Sequence, residues 1–137
     1  MTSRVVCEGS LRTTCTHLKS GSVIETDAPV DNHGKGERFS PTDLLATSLA
    51  TCMLTVMNIK ARDCEVDLRG LALSVQKNML SDPRRVGSIE LQATIPPVLQ
   101  RIDEKTKQIL KKTGEQCPVI KSLHPDIAIS IDWAQWA

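Results

Sequence analysis

The sequence predicts a single α+β domain, and three observations support this prediction. Several stretches are rich in β-forming residues or alternate between apolar and polar side chains, as strands do. Between them, one long segment begins with a helix-capping pattern and continues with apolar residues at helical spacing. The length of 137 residues suits one domain, over residues 1–137, better than two.

The N-terminal region predicts a hairpin followed by a loop. The first 26 residues are rich in Val, Thr and Ser, with a turn signal at Ser20-Gly21-Ser22, and we expect strands near 3–12 and 15–27. Residues 28–40 hold one proline and two glycines among polar side chains, which indicates a loop.

A helix is predicted over about residues 41–62. Ser40 fits the N-cap, Pro41 the first helical position, and Asp43 completes a capping-box pattern. An apolar stripe follows at helical spacing: Leu45, Leu49, Cys52, Val56 and Ile59. Four further residues widen this apolar side: Ala46, Ala50, Met53 and Met57. Because the opposite side is small or weakly polar, we expect this helix to be buried nearly all round.

The remaining elements complete the order ββ-α-ββ-α-α-β. They are a strand over 65–80, a turn at Asp82-Pro83, an antiparallel strand over 85–95, a helix over about 98–113 stopped by Gly114, a helical turn from Cys117-Pro118 to about Leu123, and a strand over 127–131.

Composition excludes several classes of protein. The net charge of +1 gives no field that would attract nucleic acid or an anionic membrane. With one Phe, two Trp and no Tyr there is no repeated base-stacking platform, and the core is expected to be aliphatic. The sequence contains no apolar run of 18 residues, so no membrane-spanning helix is expected. The N-terminus lacks the apolar stretch of a signal peptide. We therefore expect a cytoplasmic protein.

Five cysteines form the main chemical signal: Cys7, Cys15, Cys52, Cys64 and Cys117. Their number is odd and none stand in C-x-x-C spacing, which argues against a disulfide scaffold and a structural zinc site. His17, His33 and His124 share no metal-ligand spacing either, so no metal is expected. The cysteines are then either inert core residues or reactive thiols.

Two of these cysteines have helix positions that bear on reactivity. Cys52 lies in the middle of the long helix, either as a small buried apolar residue or as a reactive thiol. Cys117 fits the N-cap of its helical turn, where unpaired N–H groups and the positive end of the helix favour a thiolate, and Lys121 adds charge one turn later. It can equally be a cap without chemistry. The other three cysteines are expected to be structural or incidental.

Two arginines are candidates for stabilising a thiolate or holding an oxygen substrate. Arg38 comes just before the capped helix, and Arg12 lies on the predicted hairpin. The alternative for each is an ordinary surface arginine.

The segment FSPTDLLATSLATCM, residues 39–53, resembles the central helix of the OsmC/Ohr family, the osmotically inducible and organic hydroperoxide resistance proteins. Cys117-Pro118-Val119 resembles the second cysteine motif of that family, and Thr26-Asp27-Ala28-Pro29 with its glycine-rich loop resembles one OsmC-like branch. The element order matches over nearly the whole chain, and the two cysteine motifs in this order are a strong signal.

The resemblance implies a fold and an assembly. The fold is α+β, with antiparallel sheets around a long buried central helix, in an intertwined homodimer that has two active sites at its interface. It also implies a cysteine-based peroxidase that reduces organic hydroperoxides in oxidative stress defence, without a cofactor.

The resemblance further assigns roles to the two cysteines. Cys52 corresponds to the peroxidatic cysteine, whose thiolate becomes a sulfenic acid, and Cys117 to the resolving cysteine that closes a disulfide with it. An external dithiol, such as a lipoyl group on a carrier protein, would reduce that disulfide.

One departure from the family leaves the activating residues open. In the hydroperoxide-resistance branch a glutamate ten residues before the first cysteine holds the activating arginine, but this chain has Thr42 there. Asp43 follows, yet the turn from Asp43 to Cys52 is about 900°, which puts Asp43 on the opposite face of the helix, where it caps. The acid is then Glu37, Glu115 or a residue of the partner chain, or the activation differs.

The same departure motivates the first of two alternative functions. One is a non-peroxidase OsmC-like module that binds a small molecule or a thiol. The other is a purely structural interaction protein.

Overall fold

A computed structural model describes residues 1–136, which form an α+β fold with two three-stranded sheets. In chain order the elements are β1 (Ser3–Gly9), β2 (Arg12–His17), β3 (Val23–Asp27), α1 (Pro41–Asp63), β4 (Ala72–Leu80), β5 (Arg85–Thr94), α2 (Glu104–Gly114), α3 (Pro118–Ser122) and β6 (Ala128–Asp132). The chain divides into two compact units, Met1–Leu45 and a second unit that starts at Ala46.

The first unit contains an antiparallel sheet in the order β1-β2-β3, where the sequence predicted only two strands. The prediction of two strands, over 3–12 and 15–27, is wrong because these residues form three strands separated by two turns. Gly9, Ser10 and Leu11 all adopt positive φ and form a tight turn that ends β1. A second turn separates β2 from β3, closed by a hydrogen bond from the His17 N–H to the Ser22 carbonyl of 2.8 Å. The signal Ser20-Gly21-Ser22 predicted this second turn, and Gly9-Ser10 is a similar signal at the first.

Helix α1 begins where the capping pattern predicted. The Ser40 N–H donates to the Asp43 carboxylate at 3.0 Å, and the Asp43 N–H donates to the Ser40 hydroxyl at 3.0 Å. These reciprocal bonds satisfy N–H groups that have no partner inside the helix. The predicted range of about 41–62 agrees with the observed Pro41–Asp63.

The buried face of α1 agrees in part with the predicted one. The buried residues are Ala46, Leu49, Ala50, Met53, Met57 and Ala61, and all except Ala61 lie on the predicted apolar side. Of the predicted stripe itself only Leu49 is buried, Cys52 is half-buried, and Leu45 and Ile59 are exposed. The centre of the buried face is therefore the row of alanines and methionines that widens the stripe. Because the other side of α1 keeps exposed residues within one chain, burial nearly all round stays a prediction for the homodimer.

The second unit contains a sheet in the order β4-β5-β6, in which β5 pairs antiparallel with β4 and parallel with β6. The implied all-antiparallel sheets are therefore wrong for this sheet. The chain from β5 to β6 passes through α2 and α3, and this long crossover returns β6 in the direction of β5.

Three element boundaries in the second unit also differ from the predictions. The predicted strand over 65–80 begins only at Ala72, because the buried residues Leu68 and Leu71 belong to an irregular turn. The predicted helix over 98–113 is a short 3-10 helix, Pro97–Arg101, followed by α2. Gly114 is the last residue of α2 rather than the residue beyond its end.

The core of the second unit has two buried clusters. One surrounds Met57, Leu99, Leu110 and Trp136, and the other contains Met53, Ile89, Leu91 and Cys117 among other residues. The expectation of a purely aliphatic core is wrong at Trp136, which is fully buried and donates its indole N–H to the Leu99 carbonyl at 2.9 Å. This bond satisfies the polar end of the ring.

By length and composition alone, α1 is apolar enough to cross a membrane. Core helices of soluble proteins pass the same test, and α1 carries the buried face described above, so this is weak evidence for a span. The expectation that no segment is apolar enough to span a membrane is therefore wrong for α1 by length and composition alone.

Candidate active site

The structure brings Cys52 and Cys117 together, which their spacing in the sequence could not show. Cys52 lies in the middle of α1, and Cys117 is the N-cap residue of α3. Both belong to the same apolar cluster of the second unit, and Cys52 lies close enough to the Cys117 thiol to interact with it. Both are free thiols in this state. The second unit therefore contains a pair of adjacent thiols.

Gly114 fixes the position of Cys117 relative to α1. A Cβ at Gly114 would lie 2.9 Å from Sδ of Met57 and 3.4 Å from Cε of Met53. A residue without a side chain thus lets the end of α2 approach α1 closely. The Cys117 N–H then donates to the Gly114 carbonyl at 3.1 Å. This short turn sets Cys117 against the helix that carries Cys52.

The two thiols have different environments. Cys117 is only 1% exposed, whereas Cys52 is half-buried. Burial raises the pKa of the Cys117 thiol above its ordinary value, the contact with Cys52 adds to the rise, and backbone N–H groups of α3 oppose it. The expectation that the N-cap position favours a Cys117 thiolate is therefore wrong, because burial outweighs the helix end. Cys117 keeps its proton more strongly than an exposed cysteine does.

The first unit contains a tight ion pair between Arg12 and Asp27. Nε of Arg12 donates to Oδ1 of Asp27 at 2.7 Å, and Nη2 donates to Oδ2 at 2.9 Å. The two residues stand opposite each other in the register of β2 and β3. The hydrogen bonds from Arg12 hold the pKa of Asp27 below its usual range, and the pair raises the pKa of Arg12.

The other predicted candidates are less firmly held. Arg38 is 45% exposed; its Nε lies 3.5 Å from Glu25 and its Nη1 donates to the Glu37 carbonyl at 3.0 Å. The carboxylate of Glu37 is 60% exposed and 3.8 Å from Nη2 of Arg12. Asp43 caps α1, and Glu115 is exposed at the end of α2. Among these residues, Arg12 alone makes a two-point contact with a buried acid.

Asp27 is the residue that the sequence reasoning missed as a site candidate. In the sequence it belongs to the Thr26-Asp27-Ala28-Pro29 motif, which assigns it no role of its own. The predicted hairpin placed Arg12 at the end of one long strand, near residue 15 rather than residue 27. Once Gly9–Leu11 form the first turn, Arg12 starts β2 and faces Asp27 at the end of β3. A correct turn assignment would have revealed the pair.

Neither thiol lines the cavity on the second sheet. This cavity of about 550 Å³ lies over β4, β5 and β6. Its polar lining residues are Ser74, Gln76, Glu90, Gln92, Ser130 and Asp132. Across residues 1–136, no group of three or more His, Cys, Asp or Glu side chains has an arrangement suited to a metal ion.

Comparison with known proteins identifies relatives of this chain. The family model described as OsmC-like protein matches residues 34–132. A structure from Psychrobacter arcticus, whose suggested role is that of an osmotic stress induced and detoxification response protein, is 53% identical, with 96% of this chain and 94% of that chain covered and a TM-score of 0.91. None of the curated proteins matches the sequence.

More distant structures share the fold alone. An organic hydroperoxide resistance protein OsmC from Legionella pneumophila, also described as a predicted redox protein, is 15% identical over 96% of this chain and 97% of that chain, with a TM-score of 0.70. An organic hydroperoxide resistance protein from Elizabethkingia anophelis is 15% identical over 96% of each chain, with a TM-score of 0.70.

Proposed function

This chain belongs to the OsmC-like family, and from that premise we propose that it is a thiol-dependent peroxidase that reduces organic hydroperoxides through Cys52 and Cys117. One observation carries the proposal: a half-buried thiol on α1 contacts a fully buried thiol at the start of α3. The hydroperoxide resistance named for the L. pneumophila and E. anophelis proteins supports the same reaction class.

In the proposed first step, the Cys52 thiolate attacks one oxygen of the hydroperoxide. The S–O bond forms as the O–O bond breaks, and the leaving alkoxide takes up the proton that the thiol lost, which gives an alcohol and a Cys52 sulfenic acid. The sulfur of Cys117 then attacks the sulfur of Cys52. An S–S bond forms and water leaves with the Cys117 proton. A dithiol reduces this disulfide and is itself oxidised to a disulfide.

The two burial states support this division of roles. A peroxide must reach the first thiol, and Cys52 is the more accessible of the pair. Cys117 is shielded and its raised pKa keeps it protonated, which makes it a poor first nucleophile. Once Cys52 is a sulfenic acid, however, Cys117 is already beside it.

We also propose that Arg12, rather than Arg38, is the activating cation. Arg12 is held at two points by a buried carboxylate and keeps 21% of its side-chain surface exposed. Arg38 is more exposed and pairs through single contacts. A fixed guanidinium stabilises a developing negative charge more effectively than a mobile one does.

The proposed assembly is a homodimer. Strand β1 is exposed along its whole length, and Val5, Val23 and Ile24 of the first sheet are exposed, as is Ile59 on the free face of α1. Exposed apolar side chains that recur on one sheet or one helix face are typical of a protein interface. We propose that a second copy of the chain covers this surface.

The proposed reductant is a dithiol such as a lipoyl group, and the proposed location is the cytoplasm.

Thr42 favours one alternative, a non-peroxidase module that binds a small molecule or a thiol. In that case Cys52→Ser would leave ligand binding intact, and no dithiol would sustain peroxide turnover. A thermal-shift screen that finds no stabilising compound would count against this alternative.

The experiment is a steady-state peroxidase assay with cumene, tert-butyl and hydrogen peroxides and with lipoyl and monothiol reductants. We expect Cys52→Ser to abolish turnover and Cys117→Ser to abolish turnover with the lipoyl reductant. Cys64→Ser, which removes a half-buried thiol just after α1, is the matched control and should retain wild-type rates. Equal activity of Cys52→Ser and wild type would overturn the proposal.

A further inference from the structure

We infer that Asp27 is a positioning residue that holds the guanidinium of Arg12 in one orientation. The inference rests on the proposed function, in which Arg12 is the activating cation. It concerns contacts inside the first unit alone, and Asp27 acts through Arg12 rather than on the reacting atoms.

The contact restricts both rotation and translation of the guanidinium. Two parallel N–H donors, Nε and Nη2, meet the two oxygens of one carboxylate at 2.7 and 2.9 Å. Such a fork-to-fork pair fixes the plane of the guanidinium as well as its distance. Arginine has five N–H donors and Asp27 takes two of them, so the orientation of the remaining donors is set as well.

Asp27 is itself held rigidly. Its side chain is 1% exposed and also accepts the Glu37 backbone N–H at 3.1 Å. Its own backbone N–H donates to the Phe39 carbonyl at 3.2 Å, and β3 is paired with β2 at this position. A carboxylate with this many anchors does not follow the arginine; the arginine must follow it.

The other acids near Arg12 do not meet these conditions. Glu25 lies 3.9 Å from Nε with 38% of its side chain exposed, and Glu37 lies 3.8 Å from Nη2 with 60% exposed. Both distances exceed a hydrogen bond, and solvent weakens such exposed pairs. They add negative charge around Arg12 but do not orient it.

Positioning and mere charge balance predict opposite results for Asp27→Asn. The asparagine keeps the size of the side chain and removes its negative charge. If Asp27 only neutralised Arg12, the substitution would leave a stronger cation and faster peroxide reduction. If Asp27 positions Arg12, kcat/KM for cumene hydroperoxide falls, by about tenfold to a hundredfold for a misplaced activating group. The control Glu25→Gln removes the same charge without the two-point contact and should stay within about twofold of wild type.

A readout independent of catalysis separates this inference from the proposed function. We expect the Nε–H proton of Arg12 to exchange slowly with solvent in wild type, as a buried hydrogen-bonded group does, and at least tenfold faster in Asp27→Asn, as followed by NMR. Glu25→Gln should leave it slow. An unchanged exchange rate in Asp27→Asn overturns the inference, whether or not the protein reduces peroxides. Wild type without peroxidase activity but with the expected exchange rates overturns the proposed function and leaves the positioning of Arg12 supported.

A second variant guards against a failure of Asp27→Asn to fold. Arg12→Lys keeps the positive charge but cannot make the two-point contact, and we expect a similar loss in kcat/KM with an unchanged far-UV spectrum. Combining it with Asp27→Asn or, if that variant is unfolded, with Asp27→Glu should add little further loss, because the residues act as one unit. Wild-type kcat/KM for Arg12→Lys would overturn the proposed role of Arg12 as the activating cation, whereas fully additive losses in the double variant would overturn the inference that Asp27 acts through Arg12.

Discussion

Gly114→Ala is the substitution that tests most sharply how α2 positions the buried thiol. The new Cβ would lie 2.9 Å from Sδ and 3.1 Å from Cγ of Met57, which is fully buried. Forcing a methyl group into a filled core costs about 1–3 kcal/mol. Replacing a helical glycine by alanine returns about 0.8–1.0 kcal/mol. We therefore expect a net loss of about 1 kcal/mol in the free energy of unfolding.

Urea denaturation followed by circular dichroism measures this change. Lys112→Ala, an exposed substitution in the same helix, is the control and should stay within about 0.5 kcal/mol of wild type. We also expect a longer-lived Cys52 sulfenic acid in Gly114→Ala, because the Cys117 N–H is bonded to the Gly114 carbonyl and must shift with it. A Gly114→Ala protein more stable than wild type would refute the close approach of α2 to α1.

Three further predictions concern pH and capping. Because the pKa of Cys117 is raised, its contribution to stability is present at neutral pH and is lost as pH rises above the ordinary thiol range. Urea midpoints measured in alkaline buffers should therefore fall more steeply with pH for wild type than for Cys117→Ser. The lowered pKa of Asp27 has the opposite sign, because its contribution to stability is lost as pH falls below the ordinary carboxyl range. The urea midpoint measured in acidic buffers should therefore change less with pH in Asp27→Asn than in wild type. Equal pH slopes in either comparison would contradict the corresponding assignment. Ser40→Ala removes a hydroxyl that accepts the Asp43 N–H and should cost about 1 kcal/mol by urea unfolding, whereas no loss would argue against the cap.

Local signals predicted the start of α1 and most of the later elements. The capping pattern at Ser40 and Asp43 depends on neighbours three residues apart, so it could be recognised from the sequence. The turn after β1 was harder to recognise: Gly9-Ser10 is a turn signal, but it is followed by Leu11 at positive φ, a conformation that leucine rarely adopts. The buried face of α1 was ambiguous for a different reason: apolar and small residues occur on every side, so tertiary contacts decide which side is covered.

The residues of the candidate site could also be predicted only in part from the sequence. The family motifs drew attention to Cys52 and Cys117, but only the fold shows that they are in contact. The sign of the pKa change at Cys117 depends on its burial, which an N-cap argument from the sequence omits. Asp27 depends on strand register, and an error in one turn was enough to hide it.

The measurement that tests the central claim most directly is anaerobic titration with one equivalent of cumene hydroperoxide per chain, followed by thiol counting and peptide mass mapping. The account predicts that two thiols per chain disappear and that one disulfide joins Cys52 to Cys117. In Cys117→Ser, it predicts a Cys52 sulfenic acid that dimedone traps. Cys52 still reduced after stoichiometric peroxide would contradict the account.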